Sequence, residues 1–372
     1  MTRLVPVMLM VRELGPGGTE RQITEIAKAL DRSRFEAHVG CFHEGIRAQE
    51  LREAGVAVVR FPVSSFLSPS ACAGAWQMGR YLRRHRIRIV HTFDYPLNCF
   101  GVPVAKLFRT SVVLSSQRAD RALNPPRYNR LLRMTDHMVD GIVVNCDAVR
   151  RHLMNDEGVP ARLIHLCHNG IDTQVFRVAL RPLSDALTIG VVSVLRPEKG
   201  LDILIQAFAR VLPMHPALRL AIVGSGPELP VLASLAQQLG ISGRISFEPS
   251  ITDVADRLQS IDIFVLPSLS EALSNSLMEA MACGCAVVAS NVGGNPELVT
   301  DGETGLLFER ASIDGLAAKL RLLMEQPSLR ERLANAASRR MREEFSMAAS
   351  ADRMATIYDE FLSRTQPDTI EK

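Results

Sequence analysis

No stretch of this chain approaches the ~20 consecutive apolar residues that cross a bilayer, so a membrane-spanning protein is not expected from its 372 residues. The opening "MTRLVPVMLMVRELGPGG" reads as a short buried strand entering a glycine turn, not as a secretory signal. Cysteine is sparse and unpaired in its spacing. Seven are scattered through the sequence, an odd number without paired spacing that argues against a disulfide framework and for a reducing compartment. Cys283 and Cys285 in "ACGCA" have the form of half a metal site, but no matching Cys or His pair completes it, which favours small buried hydrophobes. Aromatic residues make up 5% of the chain and no base-stacking motif is present, which argues against a nucleic-acid partner.

What remains is enough apolar material, 47% of residues, for two ordinary cores. Short apolar runs alternate with helical ones: "LVPVMLMV", "TERQITEIAKALD", "FEAHVGCF", "AQELREAG", "VAVVRF", then the helix around "AGAWQMGRYLRRH" and "IRIVHTF". Such alternation builds a parallel sheet with helices on both faces. It restarts with "LTIGVVSVL" (187–195) and continues through "LRLAIVG", "RISFE", "IDIFVLP" and "AVVAS". The polar, irregular segment 169–186, with Pro182, is the linker candidate. The expected fold is therefore α/β, with two doubly wound Rossmann-like domains facing across a deep cleft. Residues 1–182 form the first, 183–345 the second, and 346–372 a helical segment packing back on the first. In such sheets ligands meet the loops at the carboxyl ends of the strands.

Four of those loops carry chemistry. Gly15, Gly17 and Gly18 in "ELGPGGTERQ" permit close backbone approach, and Thr19 is placed to cap the next helix. This turn serves either an anion or plain helix–strand packing. "RPEKG" offers Arg196 and Lys199 beside a glycine and a helix start, a combination suited to a diphosphate or to an ordinary exposed loop. "VGSGPE" has Gly224 in a G-x-G without a third glycine and reads as a turn that touches a nucleotide at most. In "SEALSNSLMEAMACGC", Asn275 or Ser276 is placed to cap a helix with Glu279 at the capping-box position, which accounts for Glu279 and leaves Glu271 unexplained. Two carboxylates around a helix N-terminus suit sugar and ribose hydroxyls flanking a diphosphate.

Glu271 and Glu279, with seven residues between them inside "PSLSEALSNSLMEAMACGCAVVASNVGGNPELV", resemble the E-x7-E signature of GT4-type retaining glycosyltransferases of GT-B fold. "GPGGTER", "CHNGID", "LRPEKG", "VGSGPE" and "DGETGLLF" extend the resemblance over nearly the whole chain. The resemblance implies a metal-independent enzyme with no cofactor, the nucleotide-sugar being a substrate. It assigns Glu271 to donor-sugar hydroxyls, Glu279 to the ribose and Lys199 to the diphosphate. Gly17 and Gly18 approach the diphosphate from the other domain, and amides at Asn275, Ser276 and Leu277 face the phosphates. The absence of any Asp-x-Asp agrees with this.

Two positions depart from the family pattern. Val194 stands where an arginine is usual, and Arg196, two residues on, is the replacement candidate; the usual histidine falls near Gln117. Gln117 cannot act as a base, although its amide or Arg118 could bind sugar or acceptor, and His91 is either a loop histidine on the acceptor side or a structural one. The expected activity is transfer from a UDP-sugar to a saccharide or lipid-linked acceptor in polysaccharide assembly. A catalytically weakened GT-B subunit is the alternative. A dinucleotide-dependent oxidoreductase fails on the incomplete G-x-G-x-x-G. Residues 1–182 hold 26 Lys and Arg against 16 Asp and Glu, and the remainder 17 against 24. The basic half, with Arg121, Arg127, Arg130 and Arg133, suits a cytoplasmic protein docking at an anionic inner membrane face, or else presents solvated helix faces.

Overall fold

Every residue from Val7 to Val11 is fully buried, as a strand must be when helices cover both faces of its sheet. That strand is β1 (Val5–Glu13) in a computed structural model that describes residues 4–119, 121, 125–179, 187–251 and 253–365. The first unit adds β2 (Phe35–His43), β3 (Ala57–Arg60), β4 (Ile89–Thr92), β5 (Val112–Gln117), β6 (Gly141–Val144) and β7 (Ile164–Leu166). The second contains β8 (Thr188–Val192), β9 (Arg219–Val223), β10 (Ile245–Glu248), β11 (Ile263–Leu266), β12 (Ala286–Ser290) and β13 (Leu306–Phe308).

The two sheets share one winding. Their orders are β3-β2-β1-β4-β5-β6-β7 and β10-β9-β8-β11-β12-β13, and the paired strands run parallel throughout. Each order reverses once, between β1 and β4 and between β8 and β11, and the loops leaving such a pair diverge to opposite faces and open a crevice. The first core packs Val7, Leu9 and Val11 against Ile23 and Ile26 of the helix Gly18–Ala29, and against Met354, Tyr358 and Phe361 of the helix Met347–Thr365. The second packs Ile189, Val191, Ile263 and Val265 against Leu204 and Phe208 of the helix Leu201–Val211 and Leu320 of the helix Ile313–Glu325.

The chain divides at Gly170 and again after Ser346, and the terminal helix is counted with the first unit. The division precedes the expected boundary at 182/183 by twelve residues. A side-chain amide explains the position: Gln22 donates to the Gly170 carbonyl at 2.8 Å and accepts from its N–H at 3.0 Å, binding the chain to the first unit up to that point. Of the anticipated linker, Pro182 and its neighbours 180–186 lie outside the described residues. No helix among the described residues is long and apolar enough to cross a membrane.

Candidate active site

At the reversal point of the second sheet, the loop after β8 and the loop after β11 lie side by side. Leu269 N–H donates to the Glu198 carbonyl at 2.8 Å. Gly200 holds a left-handed conformation (φ 60°), and a Cβ there would lie 2.4 Å from the Pro267 carbonyl oxygen, so glycine alone permits this approach. The approach brings Lys199 and Glu271 together. Lys199 Nζ donates to Glu271 Oε1 at 2.5 Å, and Ser268 Oγ donates to the same oxygen at 2.8 Å. Glu271 Oε2 has no hydrogen bond among the described residues, which leaves one carboxylate oxygen for a ligand hydroxyl.

A third loop, after β12, completes the arrangement and was not singled out from the sequence. Gly293 (φ 53°) presses on the Glu271 carbonyl, where a Cβ would come within 1.8 Å of the oxygen, and Gly294 N–H donates to the Ala272 carbonyl at 2.8 Å. Ser290 Oγ donates to the Ser268 carbonyl at 2.6 Å, and Asn295 Nδ2 to the Ser290 carbonyl at 3.0 Å. The signal was the double glycine of "NVGGN", which follows a buried strand as a tight backbone approach does.

The helix Asn275–Ala282 starts one residue earlier than a cap at Asn275 allows and two earlier than a cap at Ser276. Ser274 is the cap, its Oγ accepting from Leu277 N–H at 3.3 Å. Two expectations change. Glu279 is the fifth helical residue and therefore cannot close a capping box; it is 4% exposed. The Leu277 amide is engaged by the cap rather than facing a phosphate as expected.

Arg196 does not join Lys199. It is 61% exposed, and its nearest carboxylate, Glu198, is 3.9 Å away. The expectation relied on the alternation of an extended strand, but β8 ends at Val192 and the Arg196 N–H turns back to the Val194 carbonyl. Gly224 (φ 147°) has a backbone reason for its identity, since a Cβ would lie 1.8 Å from the Ser193 carbonyl oxygen.

In the first unit, Gly17 rather than Thr19 precedes the helix Gly18–Ala29, and Thr19 lies inside it. A Cβ on Gly17 would meet only the end of the Glu20 side chain, at 2.2 Å. Burial raises the Glu20 carboxyl above its usual range. His91 is fully buried on β4, its Nδ1 2.9 Å from Tyr358 Oη and its Nε2 2.9 Å from Ser116 Oγ. Burial, reinforced by Arg118, lowers its pKa to about 3. It is a core histidine with both nitrogens engaged, not a loop histidine on the acceptor side. Gln117 is 5% exposed and donates to the Ala119 carbonyl at 2.7 Å. Arg118 donates to Asn169 Oδ1 and lies over the Phe93 ring, 5.4 Å from its centroid. Burial lowers its pKa to about 10, so the side chain remains a cation at neutral pH. A residue that sequence reasoning missed is Asp94, which caps the helix Tyr95–Leu107 by accepting from Leu97 N–H at 2.9 Å and also accepts from Arg12 N–H at 2.6 Å. Burial raises its pKa to about 6.

Two family patterns cover the chain in turn: that described as Glycosyltransferase Family 4 matches residues 16–175, and that described as Glycosyl transferases group 1 matches residues 172–340. The chain belongs to this glycosyltransferase family. A D-inositol 3-phosphate glycosyltransferase of Kribbella flavida is 29% identical over 87% of this chain and 77% of its own length. One of Mycobacterium tuberculosis is 33% identical over 59% of this chain and 48% of its own, so the match spans about half of that relative. Among solved structures, Anabaena HepE in complex with UDP-glucose superposes with a TM-score of 0.84 at 21% identity, covering 95% of this chain and 99% of its own. The shared fold is GT-B.

Two arginines of the basic half are committed to ion pairs within the first unit of this glycosyltransferase. Arg121 is 2% exposed and donates to both oxygens of Asp136, at 3.0 and 2.8 Å. Arg133 donates to Glu157 at 2.7 Å. The side chain of Arg127 lies outside what the structure describes, and Arg130 is exposed. Cys283 and Cys285 of the glycosyltransferase are fully buried, with Cys285 Sγ 3.2 Å from the Leu258 carbonyl.

Proposed function

We propose that this glycosyltransferase moves a sugar from a UDP-sugar to a saccharide or lipid-linked acceptor, with retention at the anomeric carbon and without a metal ion or cofactor. The observation that carries the reading is the Lys199–Glu271 pair at the reversal point of the second sheet. Lys199 has three donor protons and, among the described residues, one partner, so it can keep Glu271 while donating to a diphosphate. Glu271 Oε2 then accepts from sugar hydroxyls. As the bond from the anomeric carbon to the β-phosphate oxygen breaks, negative charge grows on the leaving group, and Lys199 with the first amides of the helix Asn275–Ala282 stabilises it. The acceptor oxygen bonds to the same face of that carbon, and its proton passes to the departing phosphate. This route requires no side-chain base, which agrees with the burial of His91 in the core and the neutrality of Gln117.

UDP is favoured by the UDP-glucose held by the similarly folded HepE. Polysaccharide assembly at an anionic inner membrane face belongs to the same proposal. It rests on Arg130 and the other exposed basic residues of the first half, and vesicle sedimentation that shows no preference for anionic lipid at low salt would remove it. The reading as a weakened subunit is favoured by Val194, 49% exposed where the family has an arginine. A thermal-shift screen with UDP-, GDP- and ADP-sugars tests the donor. UDP-sugars should raise the melting temperature by mass action; a rise with GDP- or ADP-sugars alone would reassign the nucleotide, and stabilisation without any turnover would favour the weakened subunit.

A further inference from the structure

A cavity of about 710 Å³ opens in the first unit at the reversal point of its own sheet. Arg12 and Glu13 end β1 there, Tyr95 follows β4, and the hydrogen bond from Arg12 N–H to Asp94 ties the two strand ends together. Its walls are rings. Phe66 stacks on Phe100 at a centroid distance of 5.9 Å and an interplanar angle of 11°, and Tyr95 meets Tyr128 at 5.0 Å.

Several polar groups around the cavity are engaged with one another, while the exposed His43 and the tyrosines Tyr95 and Tyr128 also line it. Arg12 Nη2 donates to Glu13 Oε1 at 2.9 Å, so the two opposite charges of the lining are paired. Ser64 Oγ lies 2.9 Å from Ser70 Oγ, and Ser65 Oγ accepts from Leu67 N–H at 3.3 Å, so both hydroxyls serve the turn that carries them. At the rim, Leu67 is 99% exposed and Leu131 43%. A phosphate would find the Arg12 guanidinium already paired with Glu13, and a free sugar would meet mainly rings and aliphatic side chains, with His43 and the two tyrosines as the polar exceptions. An uncharged apolar group would be desolvated by the rings and covered by the two leucines.

We propose that this cavity holds the uncharged, apolar aglycone of the acceptor, so that the enzyme extends an alkyl- or aryl-linked saccharide in preference to a free one. The inference rests on the reading of the chain as a sugar-transferring enzyme and specifies its acceptor. Calorimetric titration of the full chain with n-octyl β-D-glucoside below its micellar concentration, beside methyl β-D-glucoside, tests it. The octyl glycoside should bind about tenfold or more tightly than the methyl one, since each buried methylene adds affinity, and the variants Phe66→Ala and Leu67→Asp should each remove most of that advantage. Leu67 is almost wholly exposed, so its variant reports on binding even where Phe66→Ala disturbs the loop. Equal affinities for the two glycosides, no binding of either, or full octyl affinity retained in Leu67→Asp would overturn the proposal. UDP titrated into the wild-type protein reads the donor site separately: octyl binding without UDP binding would leave the cavity standing and remove the UDP-donor reading instead.

Discussion

Lys199 and Glu271 are each other's partners, so removing either acts on both, and the two variants should nevertheless differ. Glu271→Ala removes the acceptor for sugar hydroxyls and leaves Lys199 able to reach solvent, its side chain being 24% exposed. Turnover should fall by about 100-fold or more, the scale for losing a group that acts on the transition state, while the melting temperature moves by only a few degrees; wild-type initial rates would remove Glu271 from the site. Lys199→Ala should weaken UDP binding by about 1–3 kcal/mol, the range for hydrogen bonds to charged groups. Arg196→Ala, altering an exposed side chain, should leave that affinity unchanged in the same calorimetric titration. His91 gives a prediction of a different kind. Its folded pKa of about 3 lies below the usual 6.5, so between those values the unfolded chain binds a proton that the native one refuses. Its contribution to stability is therefore lost as pH falls from 6.5 towards 3 and is flat above 7. NMR of the imidazole should show no titration down to pH 4, and a midpoint near 6.5 would contradict its burial between Tyr358 and Ser116.

At the scale of elements, three glycines that look alike in sequence should respond differently to alanine. Gly200 and Gly293 have positive φ with a carbonyl where the Cβ would go, so Gly200→Ala and Gly293→Ala should each cost roughly 1–3 kcal/mol in urea unfolding. Gly293→Ala should also reduce turnover, because the displaced carbonyl is that of Glu271. Gly17 has φ −63° and faces only a flexible Glu20 tip, so Gly17→Ala should be nearly neutral in stability. Ser274→Ala should cost about 1 kcal/mol as the loss of a helix cap, whereas Ser276→Ala should not. The strands, their parallel pairing and the loops bearing Lys199 and Glu271 were legible because a doubly covered sheet forces continuous apolar runs and places ligand loops at their ends. The cap was not, since Ser274, Asn275 and Ser276 are all competent and backbone geometry alone selects among them. His91 was ambiguous for another reason: Tyr358, which engages it, is 267 residues away in sequence. The direction of Arg196 was not legible either, because β8 ends at Val192 and strand alternation does not extend to residue 196.

Across the whole molecule, the last helix serves the first core. Met354, Ile357, Tyr358 and Phe361 are between 0% and 3% exposed, and at about 1.5–3 kcal/mol for each buried side chain their loss is comparable to the whole stability of a domain. Truncation after Ser346 should therefore leave the first unit open to protease under conditions where the second, Ile171–Ser346, stays resistant; equal resistance of both would show that the helix is dispensable. The central claim concerns what the Lys199–Glu271 site does to a nucleotide-sugar. Proton NMR of the full enzyme incubated with UDP-α-glucose, in the presence of octyl β-D-glucoside and without added metal, observes the anomeric signal of the first product directly. The account predicts release of UDP and a new α-glycosidic signal, both lost in Glu271→Ala. A β-linked product, or the same product formed at an unchanged rate by Glu271→Ala, would contradict it.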